Sequence, residues 1–454
     1  MKTKLLAIIC AVLALVSCSQ DRVIRVKTPA RPAGQQDVIG LTAEPIDTVR
    51  IGFIGLGMRG SSAVYRFARQ PFTKIVALCD VEPDRIEHSQ ANLRAAGLPE
   101  AAAYSGSEEV WKQVCERDDI DLIYVCTDWK SHAAIGVYAM EHGKHVAIEV
   151  PAATSLEEIW ALVNTSERTR RHCMQLENCC YDFFEMSALA MAQSGDLGEI
   201  IHAEGSYCHN LDQVWPRYWR SWRLDFNQAH GGDVYPTHGL GPVCQVLNIH
   251  RGDRFRTLVA MDTDPFNGPK HWKAFGGKPG EFAGGDQTST LIRTEKGKTI
   301  LIEHDVMTPR PYSRMYQLVG TDGYAAKYPV HQVCQRSEGA GEVDYENLQG
   351  EKVFNDAQAD SVLARYPVPI LTEELESLAR KVGGHGGMDF IMDYRLIYCL
   401  RHGLPLDMDV YDLAEWCCLG ELGAMSIAAG SAPVEVPDFT RGAWDKVKGF
   451  SYAL

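Results

Sequence analysis

The stretch V-R-I-G-F-I-G-L-G-M-R-G, residues 49–60, decides the fold. An apolar run suited only to a buried strand is followed by Gly55, Gly57 and Gly60 at G-x-G-x-x-G spacing, where a helix over Arg59–Arg69 is predicted to begin. The spacing has a physical reason. The first glycine makes a tight turn, the second lets a pyrophosphate approach the backbone, and the third lets helix and strand pack closely. Met58 and Arg59 lie inside this loop, beside the phosphates. A second strand, K-I-V-A-L-C-D, ends at Asp80, twenty residues past Gly60. A carboxylate there accepts hydrogen bonds from the ribose hydroxyls and repels a 2′-phosphate, which favours NAD over NADP. A helix N-cap is the competing reading of Asp80.

Strand and helix alternate beyond this point. S-E-E-V-W-K-Q-V-C reads as helix, D-L-I-Y-V-C-T-D as strand, S-H-A-A-I-G-V-Y-A-M-E-H-G as helix and K-H-V-A-I-E-V as strand. Short apolar runs bounded by polar or glycine breakers are what buried parallel strands require. The prediction is an α/β fold whose residues 49–180 form a doubly wound parallel sheet. Ligands of such sheets sit at the carboxyl ends of the strands. Trp129, Lys130, Ser131 and His132 in one turn, and Glu149 and Val150 in another, are therefore placed beside the cofactor.

The chain has 454 residues and a formal charge of −14 without long acidic runs, which opposes binding to nucleic acid. Lys2 and Lys4 precede the apolar run Leu5–Val16, which is too short to span a bilayer. Residues 1–17 read as a signal peptide. The L-V-S-C at 15–18 resembles a bacterial lipobox, so Cys18 is the expected lipidation site of an exported, membrane-anchored lipoprotein. Residues 18–48, with Pro29, Pro32 and Gly34, read as a tether. The adjacent pairs Cys179-Cys180 and Cys417-Cys418 are expected to be buried thiols, and no zinc spacing is present, so no metal is expected. A dinucleotide fold on an exported chain is a conflict, because free NAD is scarce outside the cytoplasm.

The order of G-x-G-x-x-G, the strand ending at Asp80, T-D-W-K-S-H at 127–132 and H-V-A-I-E-V-P at 145–151 resembles the glucose–fructose oxidoreductase/inositol dehydrogenase family. Most of that family has E-K-P where this chain has Glu149-Val150-Pro151, and their lysine assists proton movement at the oxidised hydroxyl. Valine at that position is similar to one branch, the NAD-dependent glycosidases of family 109. Further motifs carry the same resemblance: L-E-N-C-C-Y (176–181), G-S-Y-C-H (205–209), Y-P-T-H-G-L-G-P-V (235–243), P-R-P-Y-S (309–313) and G-G-H-G-G-M-D-F (383–390).

The resemblance implies a second domain, residues 181–454, of α+β type with an open, mostly antiparallel sheet facing the nicotinamide. It implies hydrolysis of a terminal α-N-acetylgalactosamine or related α-glycoside, with a recycled NAD. In that chemistry the sugar is oxidised at C3, loses its C2 proton, expels the C1 leaving group, takes up water and is reduced again. No net redox change occurs, so the cofactor need not exchange with a pool. His238, Tyr181 and Glu149 are implied in catalysis or cofactor handling, with Asn178 also at the cofactor. Tyr207, Arg223, Tyr235, Pro236, Thr237, His238 and Tyr312 are implied at the sugar, with Arg220 an alternative to Arg223. His385 and Asp389 lie in a glycine-flanked turn suited to close backbone approach. Partners expected are a glycan bearing the sugar, the membrane through its anchor, and a second copy of the chain. Two alternatives stay open: a conventional sugar oxidoreductase of the same family, and a catalytically silent glycan-binding lipoprotein.

Overall fold

The structure, a computed structural model, describes residues 23–211, 214, 222–274, 282–338 and 352–454. The opening motif forms β1 (Val49–Ile54), a strand whose only partly exposed side chain is Arg50. It lies in a parallel sheet with β2 (Thr73–Cys79), β3 (Ala102–Tyr104), β4 (Leu122–Val125), β5 (His145–Ile148) and β6 (Cys173–Gln175), in the order β3-β2-β1-β4-β5-β6. The chain reverses its winding between β1 and β4. The crevice at their carboxyl ends is the switch point at which such sheets bind ligands. Every side chain of β4 and β5 is buried, as helices on both faces demand.

A second sheet follows, with strands β7 (Ile200–Cys208), β8 (Phe255–Asp262), β9 (Thr288–Thr294), β10 (Thr299–Asp305), β11 (Gln317–Gly320), β12 (Gly323–Ala326), β13 (Gln332–Gln335), β14 (Phe354–Asn355) and β15 (Val434–Glu435). Their order is β14-β13-β12-β11-β7-β10-β9-β8-β15, and among the described strands of this second sheet only β7 and β10 pair in parallel. This is the mostly antiparallel second domain that the motifs implied. The helix Thr237–Leu247 lies on β7 through two glycines. A Cβ on Gly205 would come within 2.3 Å of the Gly239 carbonyl oxygen. Small residues on both surfaces thus bring His238 down beside Tyr207.

The helix Met388–His402 fastens the two domains together. Its Asp393 accepts from the buried Arg66 (Nε, 2.7 Å) and from the hydroxyl of Tyr124 on β4 (2.8 Å). Burial lifts the Asp393 pKa to about 6 despite both contacts.

Residues 23–48 do not stand off as a tether. The Ile24 amide donates to the Pro433 carbonyl (2.7 Å), and its own carbonyl accepts from Glu435 (2.8 Å). Arg31 meets the fully buried Glu167, and Val38 and Leu41 are buried. The proline-rich composition was read as linker, but these apolar and charged side chains find partners on the body. Cys18 and the predicted signal lie outside the described residues. The two adjacent cysteine pairs are buried thiols, as expected.

Candidate active site

The glycine loop fits the role its spacing predicts. Gly55 has φ +87°, and a Cβ there would lie 2.6 Å from the Cys126 backbone. A Cβ on Gly60 would lie 1.9 Å from the Gly55 oxygen. Gly57 is different: a Cβ there would meet only Arg85 Nη1, at 3.9 Å. Protein packing therefore explains two of the glycines, and the third clears space for something that is not protein. The helix Met58–Phe67 starts at Gly57 without a side-chain cap, leaving its first amides for an anion. Asp80 directly follows β2, with one oxygen accepting from the Leu56 amide (2.7 Å) and the other from the Glu82 amide (2.9 Å). It holds the glycine loop in shape and keeps lone pairs for a ribose. The N-cap of the next helix is Glu82, so Asp80 is not that cap. These residues fit a bound NAD.

Across the crevice stands the second domain. His238, in the first turn of its helix, donates from Nδ1 to Glu177 Oε1 at 2.7 Å. Glu177, two residues past the end of β6, is wholly buried and also accepts from the Cys179 amide (3.1 Å). Burial alone would raise its pKa, but His238 and these hydrogen bonds bring it below the ordinary value, so it is a carboxylate. A carboxylate on Nδ1 fixes the imidazole tautomer and leaves Nε2 free to take a proton. The Glu177–His238 pair thus has the geometry of a proton-transfer unit at the strand ends.

Aromatic rings wall the same cleft. Tyr207 lies 5.2 Å from the His238 ring, 4.8 Å from Tyr235 and 6.4 Å from Tyr312, and its hydroxyl pairs with His209 (2.9 Å). Tyr235 is edge-on to His238 at 5.0 Å and stacks on Trp129 at 5.6 Å. The Arg223 guanidinium sits over Tyr235 (4.5 Å) and Trp129 (4.9 Å). Tyr312 is 41 % exposed at the rim, its hydroxyl accepting from Arg314 (3.0 Å). Such rings bind the apolar faces of a sugar while their hydroxyls and the arginine meet its oxygens.

Comparison with known proteins decides what this cleft belongs to. Residues 49–176 match the family described as "Oxidoreductase family, NAD-binding Rossmann fold", and residues 181–446 match "Glycosyl hydrolase 109, C-terminal domain". The chain is 63 % identical over 435 residues to glycosyl hydrolase family 109 protein 1 of Bacteroides thetaiotaomicron, covering 95 % of this chain and 93 % of that one. It is 62 % identical to the family 109 protein of Porphyromonas gingivalis, again over 95 % and 93 %.

The chain belongs to glycosyl hydrolase family 109.

The fold of this family 109 protein is also that of solved dehydrogenases. A levoglucosan dehydrogenase in complex with NADH and L-sorbose superposes with a TM-score of 0.63 at 19 % identity, covering 87 % of this chain and all of that one. An inositol dehydrogenase homologue from Azotobacter vinelandii, with NADH and myo-inositol, gives 0.60 at 19 %, covering 88 % and 100 %. NAD is the cofactor, and the family 109 chain is an NAD-dependent enzyme of glycosides or sugars.

Several predicted site residues take other places. Tyr181 is 1 % exposed and its hydroxyl donates to Asp407 (3.0 Å), which is held in turn by Arg395 (2.8 Å). It packs in the main core rather than with the cleft aromatics, and burial pushes its pKa well up. His132 is buried with its ring nitrogens on the carbonyls of Pro151 (2.8 Å) and Thr127 (3.1 Å), tying two strand-end loops together. Ser131 is engaged by Asp128 (2.6 Å) and Thr127 (2.7 Å), and Lys130 points to solvent. Thr237 is fully buried, and Pro236 lines a separate cavity of about 370 Å³ with Phe226 and Asp233. Val150 joins Trp129 in the apolar wall of the cleft. Arg220 lies outside the described residues.

Glu149 pairs with Arg59 (3.0 Å), and Asn178 donates to Asp389 (2.5 Å), so both adjoin the glycine loop. Glu177 was missed by sequence reading. Its signal was available: an acidic residue at the carboxyl end of a buried strand, inside an apolar run, sits where ligands bind.

Proposed function

We propose that this protein hydrolyses terminal α-N-acetylgalactosaminides, or closely related α-glycosides, with an NAD that is recycled within each turnover. The observation that carries this reading is the Glu177–His238 pair, at 2.7 Å, set in an aromatic sugar cleft opposite a glycine loop built for NAD. Most glycosidases place two carboxylates across the bond, whereas an NAD-dependent route needs one base able to reach a carbon acid. When bound, NAD supplies reversible hydride acceptance at C3 of the sugar, and that makes the neighbouring C2 hydrogen acidic.

His238 Nε2 takes that C2 proton, exchanges it with solvent and later reprotonates C2, while Glu177 stabilises the imidazolium. Loss of the C1 leaving group and addition of water at C1 then follow on the sugar itself. Glu149 orients Arg59 and the ribose–nicotinamide end. Tyr207, Arg223, Tyr235 and Tyr312 hold the sugar, and Trp129 and Val150 exclude water from the cleft wall. Val150 supplies no proton carrier of the lysine kind, which favours the glycosidase over a conventional sugar oxidoreductase.

In the same reading, export with a lipid on Cys18 leaves the enzyme outside the cytoplasm, where a cofactor that need not exchange with a pool is an advantage. Turnover of an aryl α-N-acetylgalactosaminide in heavy water is the test. Deuterium at C2 of the released sugar supports the mechanism, and its loss in His238→Ala assigns the base. Cleavage with C2 fully protonated rejects it, and steady accumulation of keto-sugar would instead identify an oxidoreductase.

A further inference from the structure

We propose that Asp389 and the G-G-H-G-G loop, residues 383–387, of the second domain latch the cofactor into the first, so that NAD leaves only when this contact opens. The inference rests on the NAD site described above. Arg59 lies between Gly57 and Gly60, in the first turn of the helix whose amides receive the pyrophosphate. Its guanidinium donates to Glu149 Oε1 (3.0 Å) on one side and to Asp389 Oδ2 (3.2 Å) on the other, with His385 Nδ1 at 3.3 Å. One side chain of the phosphate loop is thereby held by both domains.

Asp389 is built to be the fixed end. It is fully buried and also accepts from Asn178 (2.5 Å) and His385 (2.9 Å), with Arg66 at 3.5 Å. Burial would raise its pKa, but the two guanidiniums and His385 hold it far below the carboxylate range, so it stays charged. The loop is shaped for the same contact. Gly383, Gly384, His385, Gly386 and Gly387 have φ of 85°, 87°, 46°, 77° and 117°, all left-handed. A Cβ on Gly384 would lie 2.7 Å from the Asp389 Cβ, so only a bare backbone can fold back this closely. His385 is a strained non-glycine residue in that run, yet its side chain is 55 % exposed and contributes nothing to the core. It faces Arg59, Asn178 and Asp389 instead. Strain held at an exposed residue that touches the nucleotide loop marks a functional constraint rather than a packing one.

The test uses the holoenzyme and reads cofactor release, not glycoside cleavage, so it stands whether or not the glycosidase reading does. Protein loaded with NADH is mixed with excess NAD, and the loss of bound NADH fluorescence gives the release rate. The latch predicts release faster by about tenfold or more in Asp389→Asn and by about threefold or more in His385→Ala, the scale of losing charged and neutral hydrogen bonds. It also predicts that 0.5 M salt accelerates release (roughly the screening range in which ion pairs weaken) more in the parent than in Asp389→Asn. Should Asp389→Asn not fold, His385→Ala carries the test alone, since its side chain is half in solvent. Release within about twofold of the parent in the folded variants overturns the latch.

Discussion

Replacing Glu177 by glutamine isolates the contact on which the chemistry depends. Glutamine keeps the size of the side chain but exchanges a carboxylate for an amide, so its NH₂ group can face His238 Nδ1 at the present 2.7 Å. That donor would push the imidazole proton onto Nε2, the nitrogen that must take the substrate proton. The imidazolium would also lose its buried counter-charge, which lies beside it with no exposed surface. Comparable loss of a carboxylate behind a catalytic histidine costs about 10³–10⁴ in kcat. The expectation for Glu177→Gln is thus a fall of about three orders of magnitude in kcat, with KM changed less than about threefold, because this side chain has no exposed surface. The assay is steady-state hydrolysis of an aryl α-N-acetylgalactosaminide, alongside bound NAD content and C2 deuterium exchange. Exchange should fall in step with kcat while NAD content holds. A folded, NAD-loaded Glu177→Gln protein with kcat within threefold of the parent would refute the reasoning.

Three further outcomes follow from the geometry. Gly57→Ala meets only Arg85, at 3.9 Å, so the apoprotein should keep its melting temperature while NAD binding weakens by about tenfold or more; Gly60→Ala, whose Cβ would lie 1.9 Å from a carbonyl oxygen, should destabilise the fold itself by about 1–3 kcal/mol. Tyr181→Phe removes a hydroxyl bonded to Asp407, and should lower stability by about 1 kcal/mol in denaturant titrations yet leave kcat near the parent value. Asp233 is buried beside Tyr235, and burial raises its pKa to about 7. The native state therefore binds a proton that the unfolded chain releases near its ordinary pKa of 3.8, so this group's contribution to stability falls as pH rises from about 4 to 7. In Asp233→Asn the loss of melting temperature between pH 5 and pH 8 should be smaller, and an unchanged slope would count against this assignment.

The first domain was legible almost element by element. Buried parallel strands leave apolar runs that cannot be anything else, and the runs ending at Asp80 and Glu149 fall on β2 and β5. The short edge strand β3, Ala102–Tyr104, was missed because its first two side chains are exposed and leave no hydrophobic pattern. In the second domain, strands and the helix from Phe183 could be read, but their pairing could not, since sequence does not say that β7 lies between β10 and β11. At the site, His238 and the aromatic residues were legible through motifs. What was not legible was direction. Tyr181 and Asn178 share one short motif, yet one meets Asp407 in the core and the other meets Asp389 beside the nucleotide loop. The tether was misread for a related reason: composition records proline and glycine but not the surface that Val38, Leu41 and Arg31 dock upon.

The central claim is that a resident NAD takes part in glycoside cleavage and is restored each turnover. It is tested most directly by stripping the dinucleotide from the folded protein, measuring hydrolysis of an aryl α-N-acetylgalactosaminide, and adding NAD back. Cleavage should fall by about a hundredfold or more, and return with stoichiometric NAD and no accumulation of NADH. Undiminished cleavage by the stripped protein would contradict it.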